Sequence, residues 1–442
     1  MNIFALSSGI GPSGIAIIRV SGPDAIILAK SFNQNIDLKF KQINYCKLRD
    51  PKTNELIDEG LVLCFPKPDS YTGDNLVEFH VHGSNAVISY FLKILSNAKN
   101  CRLAEPGEFT KIAFHNKKID LLEAESIGDL IHSETELQRL QAIKATQGNT
   151  SDQYNNLREK LIKSLAYIEA KIDFAEDDLP ESVLKEAHKS ISEVHLDIKK
   201  LLSDNKVGEK IREGFKVSLI GEVNAGKSSL LNLLSKREVA IVSEEEGTTR
   251  DVIETYLNID GYPVILSDTA GIRSSENEVE KKGITLAINK SKQSDLNLII
   301  VDNSSLMLSD QVKSLINSDA IIVLNKSDIK SKITHHFAQN ETVLISVKEK
   351  KNIDLLVKKI KEKLSSKYIV TGDILITRER HRIKLNACLQ QIESFIKKDH
   401  NKEIEMAAED LRLATRHLGG LVGKVDVEEI LGSIFKDFCI GK

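Results

Sequence analysis

The stretch Gly221-Glu222-Val223-Asn224-Ala225-Gly226-Lys227-Ser228 lies between a β-type run, Phe215-Lys216-Val217-Ser218-Leu219-Ile220, and a helical run from Ser228 to Leu234. A G-x-x-x-x-G-K-S spacing in that strand–loop–helix setting is a phosphate-binding loop. Gly221 and Gly226 permit backbone angles closed to other residues, so successive N–H groups can turn into one concavity and cradle phosphate oxygens. The helix N-terminus adds positive potential. Lys227 is placed to reach the β- and γ-phosphates, and the Ser228 hydroxyl to ligate Mg²⁺. Asn224, Ala225 and Ser229 complete the stretch expected to face the nucleotide.

Further pieces follow in the order such a fold requires. Val264-Ile265-Leu266-Ser267 reads as a buried strand ending in Asp268-Thr269-Ala270-Gly271. Asp268 can hold the magnesium through water, and the Gly271 N–H can touch the γ-phosphate. Between them lies Gly247-Thr248-Thr249-Arg250-Asp251, where Thr249 can close on the metal. Asn325-Lys326-Ser327-Asp328 is a guanine-reading box: Asp328 can accept from the guanine N1–H and exocyclic amine, a donor pair that adenine lacks. A site built on a specific hydrogen-bond pattern rejects the analogue without it, so GTP is expected over ATP. Ile272 stands where Ras-like GTPases carry a glutamine, so the attacking water must be oriented by another residue.

At 442 residues the chain is too long for one ordinary domain. A hydrophobic fraction of 41 % is ample for real cores, and a net charge of −3 does not advertise nucleic acid. The five cysteines (Cys46, Cys64, Cys101, Cys388 and Cys439) show no C-x-x-C spacing, which argues against a disulfide framework or zinc site and fits a reducing compartment. No signal peptide and no apolar run of membrane-spanning length are legible, so a cytoplasmic location is expected.

Residues 1–118 alternate strand-like runs (14–20, 61–65 and the period-two stretch 76–83) with helical stretches at 86–95 and 108–115, an α+β pattern. From Leu121 the spacing turns helical, and Leu157, Leu161, Leu165, Ile168 and Ile172 form a seam. The acidic run 173–181 contains Pro180, a helix end. Residues 210–371 read as the nucleotide domain, with strands at 296–301, 320–324 and 343–346 completing a mostly parallel sheet. Helices resume at 384–397 and 404–418. The nucleotide domain is thus expected as an insert, with 121–209 and 372–435 packing together.

These motifs in combination, with Pro106-Gly107-Glu108-Phe109-Thr110, Ser70-Tyr71-Thr72-Gly73-Asp74 and the terminal Cys439-Ile440-Gly441-Lys442, resemble the MnmE (TrmE) family of tRNA-modification GTPases over essentially the full chain. Glu222-Val223 replaces the family's common Arg-Pro, and the fifth box is Ser346-Val347-Lys348 rather than Ser-Ala-Lys. The resemblance implies a folate-binding and dimerising domain over 1–118, a helical domain in two parts (119–209 and 372–442) and an inserted Ras-like P-loop G domain over 210–371. It implies a homodimer working with an MnmG (GidA) type flavoprotein, in a heterotetramer or larger assembly. FAD and NADH are expected on that partner. Together they would add an aminomethyl or carboxymethylaminomethyl group at carbon 5 of the wobble uridine of certain tRNAs. The one-carbon unit would come from 5-formyl- or 5,10-methylene-tetrahydrofolate.

By the same resemblance the folate contacts fall on Arg19, Glu78, Lys118 and Lys442. Their chemistry suits a ligand with an anionic tail and a pterin edge of N–H donors. Cys439 falls near that site, where a thiolate could act. Glu280 falls on the position that activates water, with Arg273 and Arg250 as alternatives for charge stabilisation. Asn224, Ser243, the Glu245 backbone and Thr248 fall on the ligands of a K⁺ ion that would take the place of an arginine finger. A competing function is a GTP-switched ribosome-assembly factor or scaffold protein. The chain lacks the basic RNA-binding module of the former and the basic amphipathic membrane segment expected of a dynamin-like form of the latter.

Overall fold

The computed structural model describes residues 1–33, 37–173, 181–237, 240–241, 254–268, 290–304, 310–331, 337, 340–368, 376–399, 402–425, 431, 434–435 and 438–441. The chain divides into two compact units, one of residues 1–128, 146–159 and 415–442, the other of 129–145 and 160–414.

In the first unit, β1 (Asn2–Leu6), β2 (Ser13–Ser21), β3 (Asn44–Arg49), β4 (Leu56–Phe65), β5 (Leu76–Gly83) and β6 (Cys101–Leu103) form one sheet in the order β3-β4-β5-β2-β1-β6. Only the β1–β6 pair is parallel. β5 is the period-two stretch expected from sequence. Val77, Phe79 and Val81 are buried, while Glu78, His80 and His82 lie on the opposite face. Helices Ala25–Ser31 and Asn85–Ser96 cover the apolar face, where Phe79 meets Phe32 and Phe91 at ring centroids of 5.4 and 4.9 Å. The helix Glu108–His115 falls as expected. From the end of the chain, Leu431, Ile434, Phe435 and Phe438 pack with Phe114, Leu121 and Ala124.

In the second unit, β7 (Phe215–Gly221), β8 (Ala240–Ile241), β9 (Glu254–Ile259), β10 (Tyr262–Asp268), β11 (Leu296–Asp302), β12 (Ile321–Asn325) and β13 (Glu341–Leu344) run in the order β13-β12-β11-β7-β10-β9-β8. The strands from β13 to β10 are parallel, as expected. The β9–β10 hairpin adds an antiparallel edge. Its turn, Asp260-Gly261, takes the two positive φ angles (48° and 92°) of a two-residue hairpin loop. β13 ends at Leu344, two residues short of the end of the expected 343–346 run, and Ser346 leaves the ladder to bridge Lys351. β7 sits between β11 and β10, so the loop at its carboxyl end opens inside the sheet rather than at an edge.

The helices Asn149–Asp173, Glu181–Leu202, Glu379–Lys397 and Ile404–Leu421 realise the expected helical regions. The second and third pack together within this unit, where Glu393 bonds His195 at 3.3 Å and Lys199 at 3.2 Å. Asp295 accepts from the Lys216 N–H at 2.9 Å and the Tyr368 hydroxyl at 2.6 Å, and pairs with Lys210. One buried carboxylate thus ties both ends of the sheet region together.

The helical seam differs in phase from the expectation. Leu157, Leu161 and Ile168 are buried, but Tyr154 and Ser164 complete the stripe, while Leu165 and Ile172 are only half-buried. Ser164 donates to the Lys160 carbonyl at 2.8 Å and to the Ala187 carbonyl of the facing helix at 3.4 Å. A small hydroxyl lets the two backbones approach where a leucine would hold them apart. Ser164→Leu should therefore destabilise the protein by about 1–3 kcal/mol despite its added apolar surface, through overpacking. Denaturant unfolding checks this, and equal or raised stability would mean that the seam has room.

Candidate functional site

The phosphate-loop geometry follows from two residues with left-handed backbone. Asn224 has φ 63° and Gly226 φ 101°. A Cβ at position 226 would lie 2.2 Å from Nδ2 of Asn325, so both the backbone angle and the close approach require glycine. Ala225 is fully buried, whereas Asn224, Ser228 and Ser229 are exposed. Lys227 opens the helix Lys227–Arg237 and folds back over the loop, donating from Nζ to the carbonyls of Gly221 at 2.8 Å and Glu222 at 2.7 Å. Burial pushes its pKa down, against the opposing pull of Asp268 and Glu222.

Ser228 Oγ donates to Asp268 Oδ2 at 2.6 Å, so the hydroxyl and the carboxylate expected at the metal stand together at the carboxyl ends of β7 and β10. Two hard oxygens are a donor set that fits Mg²⁺.

Asn325, at the end of β12, joins the loop to the segments expected to read the base. Its Nδ2 donates to the Ala225 carbonyl at 2.9 Å, and its Oδ1 accepts from the Val347 N–H at 3.2 Å. Asp328 Oδ1 accepts from the buried Ser346 hydroxyl at 2.6 Å. That bond, with lesser help from the Lys348 and Lys326 charges, holds the Asp328 carboxyl below the usual carboxylate range. It is the ionised form that can accept two guanine N–H groups. Lys326 pairs with Asp302 at 2.6 Å, a partner absent from the sequence expectations. An open groove of about 790 Å³ beside the loop is lined by Ser229, Lys236, Val347 and Lys350, among others. It brings Ser229, in the first turn of the helix, and Val347 of the fifth box to one surface.

In the first unit Arg19 and Glu78, cross-strand partners on β2 and β5, form a two-point ion pair. Arg19 Nε and Nη2 reach Glu78 Oε1 at 3.1 and 2.8 Å. The guanidinium carbon lies 5.7 Å from both the Tyr71 and Phe109 rings. The chain terminus docks here. The Gly441 carbonyl accepts from Ser7 Oγ at 2.8 Å and Arg19 Nη1 at 3.3 Å, and Ile440 bridges Pro106. Gly441 has φ 100°, and a Cβ there would lie 2.2 Å from the Leu6 carbonyl oxygen. Cys439 is exposed beside this contact. Glu78 keeps Oε2 outside the Arg19 fork, with His80 Nε2 at 3.5 Å. A carboxylate, a cation and two aromatic faces fit a reduced pterin. Lys118 donates to the Pro68 carbonyl at 3.1 Å. Tyr71 and Phe109 were missed as sandwiching rings, though both lie inside motifs that the sequence singled out.

Ser243, Glu245, Thr248, Thr249, Arg250, Thr269, Ala270, Gly271, Ile272, Arg273, Glu280 and Lys442 lie outside the described residues. Among the described residues no helix is long and apolar enough to cross a membrane.

Two family models match the chain: the "GTP-binding protein TrmE N-terminus" over residues 2–118 and the "MnmE helical domain" over 121–439. A relative from Pelagibacter ubique (strain HTCC1062), named tRNA modification GTPase MnmE, is 58 % identical over 443 residues and covers 100 % of both chains. A relative of the same name from Rickettsia bellii (strain RML369-C) is 42 % identical over 445 residues, covering 100 % of this chain and 99 % of its own. With both units matched and full-length identity far above the level at which folds diverge, the chain belongs to the MnmE (TrmE) family of tRNA modification GTPases.

Proposed function

We propose that this protein hydrolyses GTP to drive modification of the wobble uridine of certain tRNAs. It would act as a cytoplasmic homodimer with an MnmG-type flavoprotein, adding an aminomethyl or carboxymethylaminomethyl group at carbon 5. Residues 1–118 would bind folate and dimerise. The G domain, 210–371, would be inserted between helical parts 119–209 and 372–442. The observation that carries the GTP reading is the bridge from Asn325 to Ala225 and Val347, which joins a phosphate cradle to a guanine reader.

In the G domain, the loop N–H groups and Lys227 bind the β- and γ-phosphates. Lys227 exchanges its loop carbonyls for phosphate oxygens. Ser228, Asp268 and Thr249 are the side chains that would hold Mg²⁺, which when bound neutralises charge on the bridging phosphate oxygens. Thr269, Ala270 and Gly271 line the γ-phosphate. Asn325, Lys326 and Asp328 read the base, supported by Ser346, Val347 and Lys348. Glu280 orients the attacking water.

In the N-terminal unit, Glu78 would pair with pterin N–H donors, while Arg19, Lys118 and Lys442 would meet the ligand's anionic groups. A bound tetrahydrofolate would supply the one-carbon unit. The docking of Gly441 on Arg19 supports this reading, because it holds Cys439 within two residues of that contact.

The tRNA reading is tested by nucleoside analysis of bulk tRNA from cells lacking this chain. The 5-substituted wobble uridine should disappear and return with the parent gene, but not with Glu78→Gln. Full retention of the modified nucleoside in the deletion would contradict the function.

The second test concerns the monovalent cation. Asn224, held with φ 63° at the loop surface, would offer its side-chain oxygen to K⁺ together with Ser243, the Glu245 carbonyl and Thr248. Neutral oxygens suit a large, weakly hydrated ion, which would supply the positive charge that elsewhere comes from an arginine worth about 10³–10⁵ in rate. GTP turnover should rise in KCl and stay low in NaCl at matched ionic strength, and Asn224→Ala should flatten the difference. Equal rates in the two salts would remove the cation from the mechanism.

A further inference from the structure

A turn outside the expected motifs grips the guanine box. β11 ends at Asp302, in parallel register with Asn325 of β12. One residue on, the Asn303 N–H donates to the Asn325 carbonyl at 2.9 Å, and the Asn303 side-chain amide to the Ile329 carbonyl at 3.3 Å. Asn303 is buried. The backbone is therefore held at the first residue of the box and just past its last by one residue. Its middle is held by charge. Asp302 Oδ2 accepts from Lys326 Nζ at 2.6 Å, while Oδ1 accepts from the N–H and hydroxyl of Ser304 at 2.8 and 2.6 Å.

Both partners are partly sheltered, Lys326 at 33 % and Asp302 at 20 % side-chain exposure, so water screens the pair less than it would a surface ion pair. Burial raises the Asp302 pKa, but the bonds from Lys326 and Ser304 outweigh it and keep the carboxylate below the usual range. Lys326 also has φ 63°, a left-handed conformation that a lysine adopts only where its surroundings impose it. Without an anchor its four-carbon stem would be free to leave the base site, and the backbone leading to Asp328 would lose a constraint.

We propose that Asp302 is a positioning residue for guanine recognition: it fixes Lys326, and through it the two-residue path to Asp328. Asp302 does not touch the nucleotide. Its effect is read through Lys326 alone, which sets it apart from a residue that merely stabilises the domain. The proposal rests on the guanine-nucleotide reading of the box.

The experiment is a double-mutant cycle on the full chain, with GDP affinity measured by titration and thermal unfolding measured without nucleotide. Asp302→Asn keeps the shape and removes the charge. It should weaken GDP binding about fivefold to tenfold, the loss expected for one ordinary net hydrogen bond in a partly exposed pair. Lys326→Met should weaken binding by at least as much. The double variant should be no weaker than Lys326→Met, because the two residues act as one unit. Asp302→Glu should recover part of the loss. Should Asp302→Asn not fold, Asp302→Glu carries the same cycle, with an expected loss of about twofold to threefold. Independent, additive losses for Asp302 and Lys326 would overturn the proposal, as would a GDP affinity unchanged in Asp302→Asn. A parent protein that fails to bind GDP would instead remove the guanine reading itself.

Discussion

One side-chain amide, Asn325, sets the geometry of the proposed nucleotide site. It lies at the end of β12, is 3 % exposed, and spends its donor on the Ala225 carbonyl and its acceptor on the Val347 N–H. Three loops separated widely in sequence are thereby fixed to one planar group. The approach is so close that position 226 has no space for a side chain. Each such bond contributes only about 1 kcal/mol net, but leaving its buried partner unmade costs about 1–3 kcal/mol. The loop, the guanine box and the fifth box therefore hold their relation together or lose it together.

Around that amide the remaining groups are held by short polar contacts with the protein's own atoms. Lys227 rests on loop carbonyls, Ser228 on Asp268, Lys326 on Asp302 and Asp328 on Ser346. Each contact uses a group that a nucleotide or its metal would address. Binding then exchanges one set of hydrogen bonds for another, without collecting mobile side chains, which lowers the ordering cost. Arg19 has the same character in the first unit. It donates to Glu78 and to the Gly441 carbonyl and is flanked by two rings, so its position is fixed in part by residues near the end of the chain.

What was legible in the sequence is what depends on short spacing. Gly226 and Asn325 sit in motifs whose chemistry demands them, and the alternation over 76–83 places Glu78 on the face opposite Phe79 without further information. The parallel sheet followed from its buried runs. The phase of the helical seam was less legible, because Ser164 is buried for its size and its bond to a facing carbonyl, which a hydrophobic pattern does not register. The contact of Arg19 with Gly441 spans 422 residues, and no local rule brings them together. Asp302 escaped notice for a related reason. It closes an apolar strand, where an acidic residue reads as an ordinary boundary, and its partner is known only once β11 and β12 are seen in register.

The claim that one amide unites the site is tested most directly by Asn325→Ala, measured as GDP affinity alongside far-ultraviolet circular dichroism. One buried and one half-buried partner would be left unmade, which corresponds to about a thirtyfold or greater loss of affinity with the secondary structure intact. A folded Asn325→Ala protein that binds GDP within about threefold of the parent, well under the 1.4 kcal/mol of a tenfold change, would contradict the account.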